Sequence, residues 1–330
     1  MTAPFGAAVV GLGVGEQHAR AYSADPRVSL RWLVDLDQRK AERLGGELGG
    51  RPAELATVLA DPETQLISIA SYDDAHAAQV VAALGAGKHC FVEKPLCRTP
   101  EELAAIAAAW RGSSGLVLRS NLVLRAAPLF VWLRDAIAAG ELGEVYAFDG
   151  DYLYGRLAKV TEGWRSDVPD YSVMAGGGIH LIDLMIWLTG QRPRDVTSVG
   201  ARIASRGTAF RYEDYAAATF RFDSGLVGRI TANFGAVERH QHVVRVFGTK
   251  ATVVSDDAGV RMHRSRDSDA IALTLDPLPP SKGVLIPAFV SSVELGDDPW
   301  AAQHELDLVS AVAAADLARA DGGQRAVRYE

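Results

Sequence analysis

Cysteine is scarce in this sequence. Cys90 and Cys97 are the only two cysteines among 330 residues, and they do not form a C-x-x-C pair. This excludes a disulfide framework, and histidine and cysteine are too scattered to predict a zinc or other metal site. Two thiols without a framework are typical of a reducing compartment, so we expect a cytoplasmic protein.

Long apolar runs and clusters of positive charge are also missing. No apolar stretch reaches the length of a membrane span, and the apolar residues 3–15 have neither a basic segment before them nor a cleavage site after them. The 34 Lys and Arg residues are outnumbered by 41 Asp and Glu residues, which gives a net charge of −7. We therefore expect neither nucleic acid nor a membrane as a partner.

The length and composition predict a globular protein of two domains. With 330 residues, 48% hydrophobic and 23% charged, the chain is long enough for two cores of ordinary size. Residues 1–122 alternate short β-rich runs with helical patterns, which predicts an α/β domain with a doubly wound parallel sheet that is covered on both faces. Residues 123–330 contain repeated β patterns and a few helices, which predicts an α+β domain with a large, mainly antiparallel open sheet.

A glycine-rich turn follows the first predicted strand, and residues 11–18 read GLGVGEQH. Glycines at such a turn let the backbone approach a pyrophosphate, which then lies at the helix N-terminus. In the usual G-x-G-x-x-G spacing the third position is Glu16, whose carboxylate would repel a pyrophosphate, so we take Gly15 as the third glycine. His18 opens the next helix, and the sequence leaves open whether it orients a ligand. The predicted dinucleotide contacts here are Gly11, Gly13, Val14 and Gly15.

An acidic residue ends the second predicted strand. Asp35 lies about 20 residues beyond the glycines, where a carboxylate accepts hydrogen bonds from the adenosine ribose of a dinucleotide. It would repel the 2′-phosphate of NADP by roughly 4 kcal/mol at a distance of about 4 Å and an effective dielectric near 20. We therefore expect NAD, with NADP less favoured, although Arg39 and Lys40 soften this preference. The alternative interpretation is that Asp35 caps the next helix.

Two further motifs carry a family resemblance. Residues 86–96 read AGKHCFVEKPL, and residues 176–183 read GGGIHLID. Together with the glycine turn and Asp35, they resemble the Gfo/Idh/MocA oxidoreductase family, which includes glucose–fructose oxidoreductase and inositol dehydrogenase. The resemblance covers nearly the whole chain, and Glu-Lys-Pro is its most specific motif. It implies a Rossmann domain and a second domain whose open sheet is substrate floor and oligomer interface, and hence a homodimer or homotetramer.

Lys94 is the residue that we expect to act as the general acid/base, or as the group that polarises the substrate carbonyl. It lies beyond the end of a predicted strand, at the edge of the sheet where ligands of such folds bind, and Pro95 restricts it to extended conformations. Family members often have this peptide bond in cis. Glu93 is expected to orient the lysine. The remaining predicted cofactor contacts are Ser71, His76, Glu93 and Lys94.

His180 and Asp183 are expected to complete the catalytic residues. They lie three residues apart on a predicted helix and so share a face. We expect His180 to hydrogen-bond a substrate hydroxyl, and Asp183 to fix its tautomer or to hold another hydroxyl. Many family members have an acid four residues before this histidine, where this chain has Gly176. The residues left open as carriers of that role are Asp183, Tyr152, Tyr154, Tyr171 and Asp170, or none.

The resemblance implies an NAD-dependent oxidoreductase. It would transfer a hydride between nicotinamide and a hydroxyl or keto carbon of a sugar, a sugar derivative or a cyclitol. Two alternatives stay open: an NAD-using glycosidase of the same fold, and a non-catalytic regulator that binds NAD or a sugar. Gly176 favours the regulator, whereas Lys94, Pro95 and His180 argue against it. The predicted substrate contacts are Asn121, Arg125, Tyr152, Trp164 and Arg165.

Overall fold

The chain divides into two compact units. The computed structural model describes residues 4–113, 115–162, 166, 168, 170–296 and 299–330, with the backbone alone for 299 and 300. The first unit comprises Met1–Ala126, Pro279–Val309 and Glu330, and the second comprises Ala127–Leu278 and Ser310–Tyr329. The predicted boundary at 122/123 lies close to the first of these divisions, whereas the prediction assigns 279–309 to the second domain.

The first unit contains a six-stranded parallel sheet. Its strand order is β3-β2-β1-β4-β5-β6, and every neighbouring pair is parallel. This is the order of a doubly wound dinucleotide-binding sheet, so the predicted Rossmann fold is confirmed. The strands are β1 (Phe5–Val10), β2 (Val28–Val34), β3 (Arg51–Pro52), β4 (Thr64–Ile69), β5 (His89–Val92) and β6 (Leu118–Ser120).

Both faces of this sheet are buried. Alternate residues of β1 enter two separate hydrophobic clusters: Ala8 and Val10 pack in one, and Ala7 and Val9 pack in the other. Near-continuous apolar strands are typical of a sheet that is covered on both sides. The helices of the first unit are α1 (Gly15–Ala24), α2 (Gln38–Leu48), α3 (Leu55–Ala60), α4 (His76–Gly85), α5 (Pro100–Arg111), α9 (Ile286–Leu295) and the first part of α10 (Pro299–Asp321).

The start of α5 shows how local sequence fixes an element. The Thr99 hydroxyl accepts a hydrogen bond from the backbone N–H of Glu102 at 3.2 Å, and Pro100 occupies the first turn, where its missing N–H has no cost. The Thr-Pro-Glu-Glu sequence predicts this boundary, and the structure has it there.

The second unit is built on a nine-stranded mixed sheet. Its order is β14-β13-β12-β11-β7-β10-β9-β8-β15, in which β7 and β10 are parallel and all other neighbours are antiparallel. The predicted, mainly antiparallel open sheet is therefore confirmed. The strands are β7 (Val145–Leu153), β8 (Asp195–Ala201), β9 (Tyr215–Arg221), β10 (Val227–Asn233), β11 (Gln241–Gly248), β12 (Thr252–Asp256), β13 (Gly259–His263), β14 (Ile271–Leu273) and β15 (Gln324–Ala326).

One face of this sheet packs against a hydrophobic helix. Phe148, Gly150 and Tyr152 alternate along β7 and are buried. A side chain at Gly150 would lie 3.2 Å from the Cβ of Leu181, so the glycine lets strand and helix approach closely. The helices of this unit are α6 (Pro128–Ala138), α7 (Ala158–Thr161), α8 (Ile179–Thr189) and the second part of α10, and a π-helical turn, Met174–Gly178, precedes α8.

The described ranges contain neither a membrane-spanning helix nor a metal-binding cluster. None of their helices combines the length and the apolar character that crossing a membrane requires. Nor do the described side chains include a group of three or more His, Cys, Asp or Glu residues that is placed to hold a metal ion.

Candidate functional site

The three glycines of the turn between β1 and α1 differ in their surroundings. Gly11 has a φ of +82°, and a Cβ there would lie 2.5 Å from the carbonyl oxygen of Ala70. A Cβ at Gly15 would lie 3.0 Å from the side chain of Val9 on β1 and 3.1 Å from that of Ala70, which follows β4. At Gly13 a Cβ would meet nothing within 4 Å. Gly11 therefore serves the tight turn and Gly15 the helix–strand packing, while the backbone at Gly13 is open to a ligand.

Asp35 follows β2 and is held by the glycine turn. Its Oδ2 accepts a hydrogen bond from the backbone N–H of Leu12 at 2.5 Å, and its Oδ1 accepts one from Asp37 at 2.9 Å. The residue that caps α2 is Asp37, whose carboxylate accepts from the Lys40 N–H. The alternative interpretation, in which Asp35 is merely the cap of the next helix, is therefore wrong. Both carboxylate oxygens are fixed beside the turn that a dinucleotide would occupy.

The charge of Glu16 is compensated within the first unit. Its carboxylate lies 2.8 Å from the guanidinium of Arg20 and 4.0 Å from that of Arg43. The hydrogen bond from Arg20 lowers the pKa of Glu16, against the opposing effect of partial burial. The Glu16 carboxylate is therefore paired with arginine, and this pairing weakens the predicted repulsion between Glu16 and a pyrophosphate. Val14, the residue before α1, is 42% exposed.

His76 lies behind the Lys94–Pro95 segment. Its ring is 0% exposed, with Nδ1 2.7 Å from the carbonyl oxygen of Pro95 and Nε2 3.2 Å from that of Ser71. The Ser71 hydroxyl donates to Gln79 at 2.7 Å. This geometry favours a positioning role for His76, which ties the loop after β4 to the loop after β5, over the predicted direct contact with the cofactor.

Lys94 follows Glu93 directly beyond the carboxyl end of β5, and the Lys94–Pro95 peptide bond is cis. Glu93 Oε1 accepts a hydrogen bond from the Asn121 amide at 2.6 Å and lies 3.2 Å from His18 Nε2. Burial raises the pKa of Glu93, but the hydrogen bonds from His18 and Asn121 and the positive charge of Lys94 outweigh it, so the pKa is lowered. Glu93 is therefore a partly buried carboxylate that interacts with the Lys94 ammonium.

The two predicted substrate contacts after β6 are largely enclosed. Asn121 is 1% exposed, and its amide nitrogen also donates to the carbonyl oxygen of Lys282 at 2.8 Å. Arg125 lies in a short 3₁₀ turn, Val123–Ala126, and pairs with Glu305 of α10 at 3.3 Å. These contacts place Asn121 as support for Glu93 and fix the direction of the Arg125 side chain.

The second unit gathers aromatic and imidazole rings around the start of α8. The His180 ring lies 6.3 Å from the ring of Tyr152 and 6.1 Å from that of His242, centroid to centroid. His240 lies 5.3 Å from Tyr152 and 5.0 Å from His242. Asp183, three residues after His180, is fully buried. Tyr152, His180 and His242 thus form a polar, aromatic cluster, which we call the tyrosine–histidine cluster.

Gly176 leaves room for a tyrosine. A Cβ at this position would collide with the hydroxyl of Tyr171, so that hydroxyl occupies the space into which a side chain at 176 would project. Tyr171 is 7% exposed. Asp170, by contrast, is exposed, and its N–H donates to the Tyr212 hydroxyl at 2.8 Å. Among the residues that the sequence left open, Tyr171 is the one whose hydroxyl lies beside Gly176.

Two predicted substrate contacts lie outside the described residues, and two features of the site were not predicted from the sequence. Trp164 and Arg165 lie outside the described residues. The His18–Glu93 contact and the place of His242 in the tyrosine–histidine cluster were not predicted. The i, i+2 spacing of His240 and His242 at the start of β11 was a signal for the second, since β11 pairs with β7 and His242 lies opposite Tyr152.

Two family models match the chain. Residues 5–119 match the oxidoreductase family with an NAD-binding Rossmann fold, and residues 130–254 match the GFO/IDH/MocA C-terminal domain. The protein is an NAD-binding oxidoreductase. It belongs to the Gfo/Idh/MocA family, which confirms the resemblance that the motifs predict.

Similar proteins cover most of the chain. It is 27% identical over 301 residues to 1,5-anhydro-D-fructose reductase of Ensifer adhaerens, which covers 84% of this chain and 86% of that protein. It is 26% identical over 257 residues to scyllo-inositol 2-dehydrogenase (NAD(+)) of Bacillus subtilis, covering 74% and 72%. A solved structure of levoglucosan dehydrogenase with NADH has a TM-score of 0.87 at 20% identity, covering 99% of this chain and 100% of that one. That structural likeness shows the fold.

Proposed function

We propose that this protein transfers a hydride between NAD and a hydroxyl or keto carbon of a sugar, a sugar derivative or a cyclitol. The observation that carries the proposal is the turn after β1, where Gly13 leaves open space while Gly11 and Gly15 are closed in. The names of relatives support the substrate class, since they include a reductase of 1,5-anhydro-D-fructose and dehydrogenases of levoglucosan and inositol.

The first unit would hold the cofactor. The backbone of Gly11–Gly15 fits a pyrophosphate at the N-terminus of α1, and Asp35 fits the adenosine ribose. Bound there, the nicotinamide supplies a carbon that accepts or gives up a hydride. The fixed carboxylate of Asp35 disfavours a 2′-phosphate, so NAD is preferred to NADP. Arg39 and Lys40, in the first turn of α2, reduce this preference without reversing it.

Lys94 is the proposed general acid/base. Its Nζ takes the proton of the reacting hydroxyl during oxidation and returns it during reduction. A positioned proton-transfer group contributes about 100-fold or more to the rate. Glu93 provides the negative charge beside the ammonium, and His76 fixes the loop that carries both residues.

The tyrosine–histidine cluster of the second unit is the proposed recognition surface for sugar hydroxyls. Imidazole and phenol groups both donate and accept hydrogen bonds, which suits a polyhydroxylated ligand. His180 would hydrogen-bond a substrate hydroxyl, with Asp183 behind it. Tyr171 would supply the hydrogen-bonding group for which other members use an acid four residues before the histidine.

A homodimer or homotetramer is the proposed assembly, formed through the sheet face opposite α8. Val199 and Val227 lie on this face and are 66% and 41% exposed. Beside them, Arg229 pairs with Asp149 at 3.2 Å and with Asp151 at 2.9 Å. Exposed valines mixed with compensated charges fit a second copy of this chain better than nucleic acid or lipid, which would require a basic surface.

The cytoplasm is the proposed location. Cys90 and Cys97 are free thiols, and both are buried. Burial raises the pKa of each thiol, so both stay protonated and unreactive, as suits a reducing compartment.

A cofactor titration followed by a substrate screen tests this function. NADH and NADPH fluorescence would be titrated against the protein, and a panel of sugars and cyclitols would then be screened at the nicotinamide absorbance band. We expect tighter binding of NADH and turnover of one sugar class. If neither nucleotide binds, the proposal is wrong.

The same screen separates the two alternatives. Cleavage of a glycoside with no net NADH would indicate the glycosidase. Tight NADH binding, with no exchange of hydride with any polyol when the cofactor carries deuterium, would indicate the regulator.

A further inference from the structure

A chain of hydrogen bonds runs through the interior of the first unit and ends at Glu93. The Tyr22 hydroxyl lies 3.4 Å from the Ser68 hydroxyl, which lies 3.2 Å from Nδ1 of His18. Nε2 of the same ring lies 3.2 Å from Oε1 of Glu93. His18 is 0% exposed, and the Glu93 side chain is 16% exposed. The chain thus connects α1, β4 and the residue before Lys94 out of reach of most solvent.

The chemistry of the partners fixes the direction of these hydrogen bonds. An ionised carboxylate only accepts, so Nε2 of His18 donates to Glu93. In the neutral ring Nδ1 then accepts from the Ser68 hydroxyl, which in turn accepts from the Tyr22 hydroxyl. Burial raises the pKa of Tyr22, so its hydroxyl keeps its proton and remains a donor. Every hydrogen in the chain therefore points toward Glu93.

Asn121 supplies a second donor to Glu93, next to His18 Nε2. Its two N–H groups donate to Glu93 at 2.6 Å and to the carbonyl oxygen of Lys282 at 2.8 Å, which fixes the amide. The backbone N–H of Lys282 donates to the Gln17 side chain at 2.5 Å, so this loop is anchored to α1 next to His18. Glu93 Oε1 is therefore held by two neighbouring donors, His18 Nε2 and Asn121 Nδ2.

We propose that His18 is a positioning residue for Lys94, because its hydrogen bond holds the Glu93 carboxylate ionised and in place beside the Lys94 ammonium. This inference rests on the proposed role of Lys94 as the proton-transfer group. His18 does not itself touch a substrate: its ring is enclosed by Ser68, Phe91, Glu93 and Asn121. The groups that face Glu93 and can carry charge are His18 and Lys94.

Two substitutions of His18 distinguish the role of its Nε2 atom from that of its Nδ1 atom. His18→Gln places an N–H near the position of Nε2 and keeps a donor for Glu93. His18→Asn is shorter, keeps a partner for Ser68 and loses the contact with Glu93. Phe91→Leu is the packing control, because Phe91 touches the His18 ring edge-on at 5.3 Å and makes no hydrogen bond to it.

The readout is the pH dependence of Lys94 acylation by an amine-specific reagent, followed by peptide mass spectrometry. This readout requires neither cofactor nor substrate. In His18→Asn, loss of the fixed anion is expected to shift the Lys94 labelling curve to lower pH by about one unit, since an opposite charge nearby favours the charged amine. His18→Gln and Phe91→Leu are expected to keep the wild-type curve.

Turnover provides the second readout once a substrate is known. We expect kcat of His18→Asn to fall about tenfold or more with little change in the Kd of NADH, and His18→Gln to retain most of the rate. The proposal is overturned if His18→Asn labels as the wild type does, or if Phe91→Leu shifts the curve as far as His18→Asn. Failure to bind NADH or to turn over any sugar would overturn the proposed function and leave the labelling result to decide this inference.

Discussion

Replacing Gly13 by alanine is predicted to weaken NADH binding without destabilising the protein. A Cβ at this position meets no protein atom within 4 Å, so the free energy of unfolding should change by no more than about 0.5 kcal/mol. The same methyl group would occupy the space through which the backbone approaches a pyrophosphate. We expect NADH affinity to fall at least tenfold, which corresponds to about 1.4 kcal/mol.

Gly11→Ala is the matched comparison, because this substitution is expected to lower the free energy of unfolding. The φ of +82° is expected to cost about 1–2 kcal/mol for a residue with a Cβ. The contact of 2.5 Å with the Ala70 carbonyl oxygen adds an overpacking cost of about 1–3 kcal/mol. Urea unfolding would measure stability, and fluorescence titration would measure NADH binding. If Gly13→Ala binds NADH like the wild type, or loses as much stability as Gly11→Ala, the assignment of the three glycines is refuted.

Three further predictions concern stability, cofactor choice and assembly. Asp61 accepts hydrogen bonds from Arg31 and Trp32. Burial raises the pKa of Asp61, but these hydrogen bonds outweigh it, so the pKa is lowered. We expect Asp61→Asn to reduce the free energy of unfolding in urea by about 2–4 kcal/mol near pH 7. A lowered pKa stabilises the folded state at pH values above the pKa of an Asp in the unfolded chain, which is about 4, and this stabilisation is lost as the pH falls. The difference in free energy of unfolding between Asp61→Asn and the wild type should therefore narrow from pH 6 to pH 3. A difference that stays constant would contradict this. Asp35→Ser should reduce the ratio of NADH to NADPH affinity several-fold in fluorescence titrations, whereas an unchanged ratio would remove Asp35 from cofactor selection. Val199→Arg should convert the oligomer to monomer in light scattering, and a wild-type monomer would contradict the proposed assembly.

Local signals account for the elements that the sequence predicts well. The cap at Thr99, the proline that follows it and the glycine turn after β1 depend on neighbours in the chain, and such signals are readable in one sequence. The helix α9 was missed, although Pro287 near its start and the spacing of Ile286, Phe289 and Val290 are typical of an amphipathic helix.

Contacts between distant segments account for most of what was missed. His18 lies in α1, Glu93 follows β5 and Asn121 follows β6, and only the parallel sheet brings them together. The Tyr171 hydroxyl lies beside Gly176, which is part of the π-helical turn Met174–Gly178 before α8. Neither feature is visible in a hydrophobic pattern. The return of 279–309 to the first unit is likewise a tertiary property.

The most direct test of the account is the turnover of Lys94→Ala on the sugar identified by the screen. The variant is expected to bind NADH within about twofold of the wild type and to lose turnover by about 100-fold or more, because it lacks the proton-transfer group. Lys250→Ala, which removes an exposed lysine of the second unit, is the control and should retain full rate. A Lys94→Ala variant with wild-type turnover would contradict the proposed mechanism.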